Sequence, residues 1–142
     1  DLAEDEAFVV DVSDGGAEYF TVPLSNIWGT TLDLVDRTGS LNKAQSVANE
    51  DGSYTYVISA DDPGVVNWID SDGLREGILT LRMAEFGKSG PREDLGASGR
   101  VIKLDRLDAE VPHLGRVSAQ ERATELAERR KAYLRRLPEG TA

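Results

Sequence analysis

The chain has no cysteine among its 142 residues. That excludes disulfides, thiolate nucleophiles and cysteine metal sites, and a zero count leaves the compartment open. It has one histidine, His113, so no site built from this chain alone can use two imidazole ligands. Its apolar runs, such as Phe8-Val9-Val10 and Tyr56-Val57-Ile58, are far too short to span a bilayer. No charged-then-apolar signal segment opens the sequence. No glycine-rich phosphate loop precedes a helix, and no serine has the strand–elbow–helix glycine context of a hydrolase nucleophile. What the chain does have is carboxylates: 26 Asp+Glu against 16 Lys+Arg, for a net charge of −10.

That charge is unevenly spread. Residues 1–99 carry 6 Lys+Arg against 19 Asp+Glu, whereas residues 100–142 carry 10 against 7. An acidic body repels a phosphate backbone, which needs clustered cations for affinity, so nucleic acid is not expected as a partner. The basic tail is expected to lean on an acidic surface of its own body or of a companion region. A hydrophobic content of 39% and a length of 142 residues suit one soluble domain with a real core.

Strand patterns dominate. Glu6 to Val12 reads as a strand, followed by a hairpin signal at Asp14-Gly15-Gly16. Ala17 to Ser25 places Phe20, Val22 and Leu24 on one side, with Pro23 predicting an edge strand or a strand end. Asn26-Ile27-Trp28-Gly29 turns the chain. Thr30 to Val35 and Ala44 to Ala48 are weaker strand candidates, separated by a polar, turn-rich stretch from Asp36 to Lys43. A second hairpin signal, Asp51-Gly52, precedes Tyr54 to Ser59, whose β-branched and aromatic content is the best strand signal in the chain. Gly77 to Met83 and Arg100 to Leu104 are further strands, and the glycine-rich stretch Glu85 to Gly99 between them reads as an excursion from the core. Near the end, Ser118-Ala119-Gln120-Glu121 is a capping box. It opens a helix running to about Arg136, with Pro138 and Gly140 as stop signals. Ala119, Ala123, Leu126, Ala127, Tyr133, Leu134 and Leu137 form a broken apolar stripe expected to face a core.

The richest stretch lies between two of these strands, at Asp61 to Gly77. Pro63-Gly64 suits a type II turn, with Asp62 positioned to accept backbone amides across it. Asn67 can satisfy buried backbone groups, and Trp68 can plug the loop onto the sheet. The same residues allow a functional reading. Trp68 could stack on a sugar or apolar ring while Asn67, Asp70 and Arg75 bind its polar edge. Asp62, Asp70 and Asp72 could instead supply a general acid and base, with Asp62 and Asp70 the catalytic candidates. Asp70-Ser71-Asp72-Gly73 resembles the middle of a helix–loop–helix calcium site, but Trp68 and Leu79 stand at its first and last ligand positions, so no metal is expected. No cofactor is expected either. His113, after Pro112, reads as a surface or interdomain contact.

Several motifs recur together in order and spacing: Tyr19-Phe20, Asn26-Ile27-Trp28-Gly29, Ser40-Leu41-Asn42, Asp51-Gly52-Ser53, Asp62-Pro63-Gly64, Asn67-Trp68-Ile69-Asp70, Gly77 and Arg82. In these, the region from about Phe8 to Met83 resembles a bacterial family catalogued as domain of unknown function twelve-fourteen. Met83 stands where members often carry a tryptophan. The resemblance implies a largely β module forming the C-terminal part of a longer protein, and it implies no activity.

The expected fold is mainly β: an antiparallel β-sandwich of the jelly-roll kind at residues 1–104, a connector at 105–117 and a C-terminal amphipathic α-helix at 118–137. The expected function is that of a structural or binding module. Its expected partner is the N-terminal region of the same protein or a companion chain, with a small-molecule or sugar ligand and a homo-oligomer as further options. The alternative is part of a hydrolase-like enzyme acting on a carbohydrate or other polyhydroxylated substrate through carboxylates of residues 61–77.

Overall fold

The computed structural model describes residues 1–136, and within them the chain is mainly β. The strands are β1 (Glu6–Ser13), β2 (Tyr19–Ser25), β3 (Ser40–Asn42), β4 (Tyr54–Ser59), β5 (Trp68–Asp70), β6 (Ile78–Leu79), β7 (Arg82–Ala84) and β8 (Gly96–Lys103). The helices are the one-turn α1 (Leu107–Glu110) and α2 (Ala119–Leu134). Two four-stranded sheets result. One has the order β5-β4-β1-β8; in the other β2 is central, with β3 on one side and β6 and β7 sharing the other.

The alternation of β2 sends Phe20, Val22 and Leu24 inward, where they meet Val10 and Val12 of β1 and Tyr54, Tyr56 and Ile58 of β4. Leu41 and Ile69 complete this core. Phe20 packs edge-on against Tyr54 with ring centroids 4.8 Å apart, a geometry that adds to simple area burial. Burial pushes the Tyr56 phenol well above its ordinary value, and its hydroxyl lies 2.9 Å from Ser46 Oγ.

All six residues of β4 are buried. Tyr54, Tyr56 and Ile58 face the second sheet, so Thr55, Val57 and Ser59 need cover on the opposite side. Residues 104–117 provide it. Leu107, Val111 and Leu114 pack with Ala7, Val9, Val57, Val65 and Ile102 in a second apolar cluster. The stretch expected to be a connector is therefore a layer of the body.

Several local expectations are corrected. Asp14-Gly15-Gly16 does not make a hairpin: β1 pairs with β4 and β8, never with β2, so this turn carries the chain from one sheet to the other. The first sheet is not wholly antiparallel, because β4 and β5 run parallel. Trp68, read as a loop residue, begins β5. Thr30 to Val35 makes only an isolated bridge, Ser25 to Thr31, since Asp33 Oδ1 captures the amides of Val35 and Asp36 in a turn. Ala44 to Ala48 is not a strand; a 3-10 turn at Lys43–Gln45, capped by Asn42, replaces it. The strand lies earlier, at β3, inside the stretch read as turns. Gly77 to Met83 breaks into β6 and β7, and β8 begins at Gly96, inside the expected excursion.

Pro23 is in a central strand rather than at an edge. Its carbonyl accepts the Thr80 amide, so its nitrogen faces the same side, between the β6 and β7 ladders. The ladder opens where proline has no N–H to give.

Helix α2 starts at the expected capping box: Ser118 Oγ accepts the Glu121 amide, and Glu121 reaches back to Ser118 N. Among the described residues of its apolar stripe, only Leu126 turns toward the body. Ala119, Ala123, Ala127, Tyr133 and Leu134 are exposed, and the residues turned inward are Arg122, Leu126 and Arg129. Leu137 and the stop signals Pro138 and Gly140 lie outside the described residues.

Asp14 is buried at the turn between the sheets. Burial alone would raise its carboxyl, but Lys43 Nζ at 2.9 Å and the Gly16 amide hold it below the ordinary aspartate value. A folded value below the unfolded one gives stability that is full above pH 3.8 and is lost as pH falls through the folded value. Urea unfolding of wild type and Asp14→Asn from pH 7 to pH 2 should show a constant stability gap down to about pH 4 that closes below it.

Candidate functional site

The segment from Asp61 to Gly77 follows β4, doubles back to set β5 parallel beside it and runs on to β6. Gly64 takes a φ of +70°, which a side chain resists, and Asp62 Oδ1 accepts its amide at 2.8 Å. Asn67 has a φ of +54° and is buried. Its Oδ1 accepts the Val47 amide at 2.8 Å, while its Nδ2 donates to the carbonyls of Val47 and Thr55 at 2.7 and 3.1 Å. Every polar group of the Asn67 side chain is thus spent on backbone that would otherwise be buried unpaired.

Trp68 is 6% exposed. Its Nε1 donates to Ser59 Oγ at 3.0 Å, and the Arg122 guanidinium lies over its ring at 5.2 Å from the centroid. The stacking face considered for a sugar is therefore occupied by a cation–π contact. Arg122, itself 5% exposed, arrives from α2 and binds Asp62 through Nε at 2.8 Å and Nη2 at 3.3 Å. It also donates to the Val65 carbonyl and to Glu125, each at 2.6 Å. One guanidinium ties the helix, the turn and the tryptophan together.

Asp70 lies elsewhere. Its Oδ2 accepts from Arg37 Nη1 at 2.9 Å and its Oδ1 from the Asp72 amide at 2.8 Å, and Arg37 Nε reaches Asp72 Oδ1 at 3.0 Å. Asp62 and Asp70 are thus each clamped by a different arginine and do not form a pair. Arg75 is on the rim of a third feature, where its Nε donates to the Leu2 carbonyl and its carbonyl accepts the Leu2 amide. It borders a cleft of ≈ 590 Å³ between β6 and β8, lined by Phe8, Leu24, Ile58, Leu79 and Val101. The five candidates therefore divide among three places.

His113 belongs to a cluster that sequence reasoning did not find. Thr55 Oγ1, buried on the outer face of β4, donates to Asp11 Oδ1 at 2.7 Å and accepts from Asn49 Nδ2 at 3.0 Å. His113 Nε2 is 3.2 Å away. Thr55 has one proton for Asp11 and His113; with it on Asp11, the tautomer that carries hydrogen on Nε2 completes the contact. That arrangement opposes a nucleophilic role, which needs the histidine to accept the hydroxyl proton. Asp11 is in turn held by Arg100 at 2.8 Å. Among the described residues, no group of three or more His, Asp or Glu side chains could hold a metal ion, and no helix is long and apolar enough to cross a membrane.

The missed residues carry a partial signal. Arg122, Leu126 and Arg129 recur at helical spacing, marking the face of α2 that meets the body. Arg129 Nε donates to the Leu34 carbonyl at 2.8 Å, and Arg130 pairs with Asp36. The basic tail does lean on the acidic body, as its charge suggests.

Neither a protein-family model nor a curated protein matches the chain. Among solved structures it is similar to an uncharacterised protein from Burkholderia cenocepacia, with 34% sequence identity and a TM-score of 0.65. The match covers 75% of this chain, which spans 28% of the length of that one.

Removing Arg122 leaves the buried Val65 carbonyl unpaired and returns Asp62, whose side chain is 29% exposed, to water. Arg122→Met should lower the unfolding free energy by about 1–3 kcal/mol, the usual cost of leaving a buried acceptor such as the Val65 carbonyl unpaired. Arg122→Lys should recover only part of it, because an ammonium cannot make the forked contact. Urea denaturation checks both.

Proposed function

We propose that the chain is a β-sandwich module of the jelly-roll kind within a longer protein, serving as a structural and binding platform for the rest of that protein. The observation that carries this reading is the state of the 61–77 segment. Asp62 is held by Arg122, Asp70 by Arg37, Asn67 by backbone, and the Trp68 face by Arg122. Groups so engaged position the chain and leave little to offer a substrate. A catalytic pair needs two carboxylates in one site with different environments, and here the two carboxylates stand in separate clasps.

The similarity to 28% of a longer solved chain supports the module reading, as does the resemblance to a family in which such a module is C-terminal. The companion region of that longer protein is the proposed partner. No geometry among the described residues favours the hydrolase-like alternative.

Asp62→Asn and Asp70→Asn separate the two. As braces, each should cost about 1–3 kcal/mol in urea unfolding, and wild type should show no turnover of chromogenic glycosides or esters above buffer. Measurable wild-type turnover that either variant abolishes at unchanged stability would overturn the proposal.

A further inference from the structure

We infer that the cleft between β6 and β8 is the seat of an extended, alternately apolar polypeptide segment supplied by the rest of the longer protein; the inference rests on the module reading above. The first observation is an open edge. β8 ends its sheet with eight residues paired only to β1, and among the described residues no strand lies beyond it. All of its residues except Ile102 are exposed. A long strand edge presents a row of unpaired N–H and C=O groups, and folded proteins normally pair, cover or guard such edges. The charges of β8 do not guard this one, because Arg100 is bound to Asp11 and Lys103 to Asp5 and Glu6.

The second observation is the apolar surface beside that edge. Phe8, Leu24, Ile58 and Leu79 line the cleft. At its lips Val101 and Ile78 are 54% and 47% exposed. Ser25 pairs with Ile78, and the next residues form the Asn26–Gly29 turn, where Ile27 and Trp28 are 54% and 84% exposed. Asn26 Oδ1 accepts the amides of Trp28 and Thr30, each at 3.0 Å, so the turn is preorganised. An outward tryptophan on a rigid turn is the side chain most often used to anchor an interface.

The occupant follows from the two together. A free strand edge is satisfied in full only by another backbone, and alternate side chains of an added strand would enter the cleft. The reciprocal Leu2–Arg75 hydrogen bonds set the start of the described chain at the cleft mouth, so polypeptide joined ahead of Asp1 leaves from the cleft itself.

Hydrogen exchange on the isolated 142-residue chain and on the complete product of its gene tests this. In the complete product, the amides of Gly96–Lys103 that point away from β1 should exchange at least about 100-fold more slowly than in the isolated chain, and Trp28 should be shielded from acrylamide. Val101→Glu in the complete product should return the β8 exchange to the isolated rate while β4 stays protected, showing that the fold survives. A longer gene product whose β8 exchange is unchanged overturns the inference alone. Protection that survives Val101→Glu, or that appears in the isolated chain with rising concentration, also overturns it, the latter by identifying a second copy as occupant. A gene product no longer than these residues overturns the module reading and this inference with it.

Discussion

The structure depends on the burial of β4 on both faces. A strand covered on one side can leave its alternate residues in water; one covered on both must satisfy every side chain it carries. Tyr54, Tyr56 and Ile58 are answered by the second sheet. Val57 is answered by the apolar residues of 104–117. That leaves the hydroxyls of Thr55 and Ser59, and His113 and Trp68 are the side chains that reach them. Asp11, Asn49 and His113 surround Thr55. Trp68 Nε1 donates to Ser59 Oγ, which donates to the Asp61 carbonyl. A lone histidine and the first residue of β5, each a natural candidate for chemistry, are here the polar caps of one strand.

The same constraint explains the arginines. Trp68 covers Ser59, and Arg122 closes over the Trp68 ring while pairing with Asp62. Its partners Asp62 and Val65 lie some 60 residues away in sequence. Helix α2 therefore stays against the body through a desolvated guanidinium and the Arg129 and Arg130 contacts, with little apolar packing. An acidic body and a basic C-terminal helix are complementary charges at long range, and Arg122 is where that complementarity becomes specific.

The sequence made the individual strands legible and the pairing between them much less so. β1, β2 and β4 were readable because their residue types and alternation are local properties. The partner of β1 was not: Asp14-Gly15-Gly16 has the composition of a hairpin, and nothing local says whether the next strand folds back or crosses to another sheet. β5 was hidden because three residues are too few to show a period, and because a parallel pairing is set by the crossover from β4. In the 61–77 segment the bracing roles of Asp62 and Asn67 were readable, since Asx turns and backbone capping are short-range chemistry. The arginines that occupy Asp62 and Asp70 come from distant parts of the chain, and no spacing rule links them. The helix misled for a related reason. Its alanines and leucines suggested the buried face, whereas the face that touches the body is marked by two arginines and a leucine.

The central claim is that these site-like residues are braces coupled to one another across the fold. A double-mutant cycle on Arg122→Met and Asp62→Asn, read by urea unfolding, tests it most directly. Direct contact across the Arg122–Asp62 clasp predicts a coupling energy of at least about 1 kcal/mol. Additive effects, with coupling within about 0.3 kcal/mol of zero, would contradict the account and return Asp62 to the list of groups free for another task.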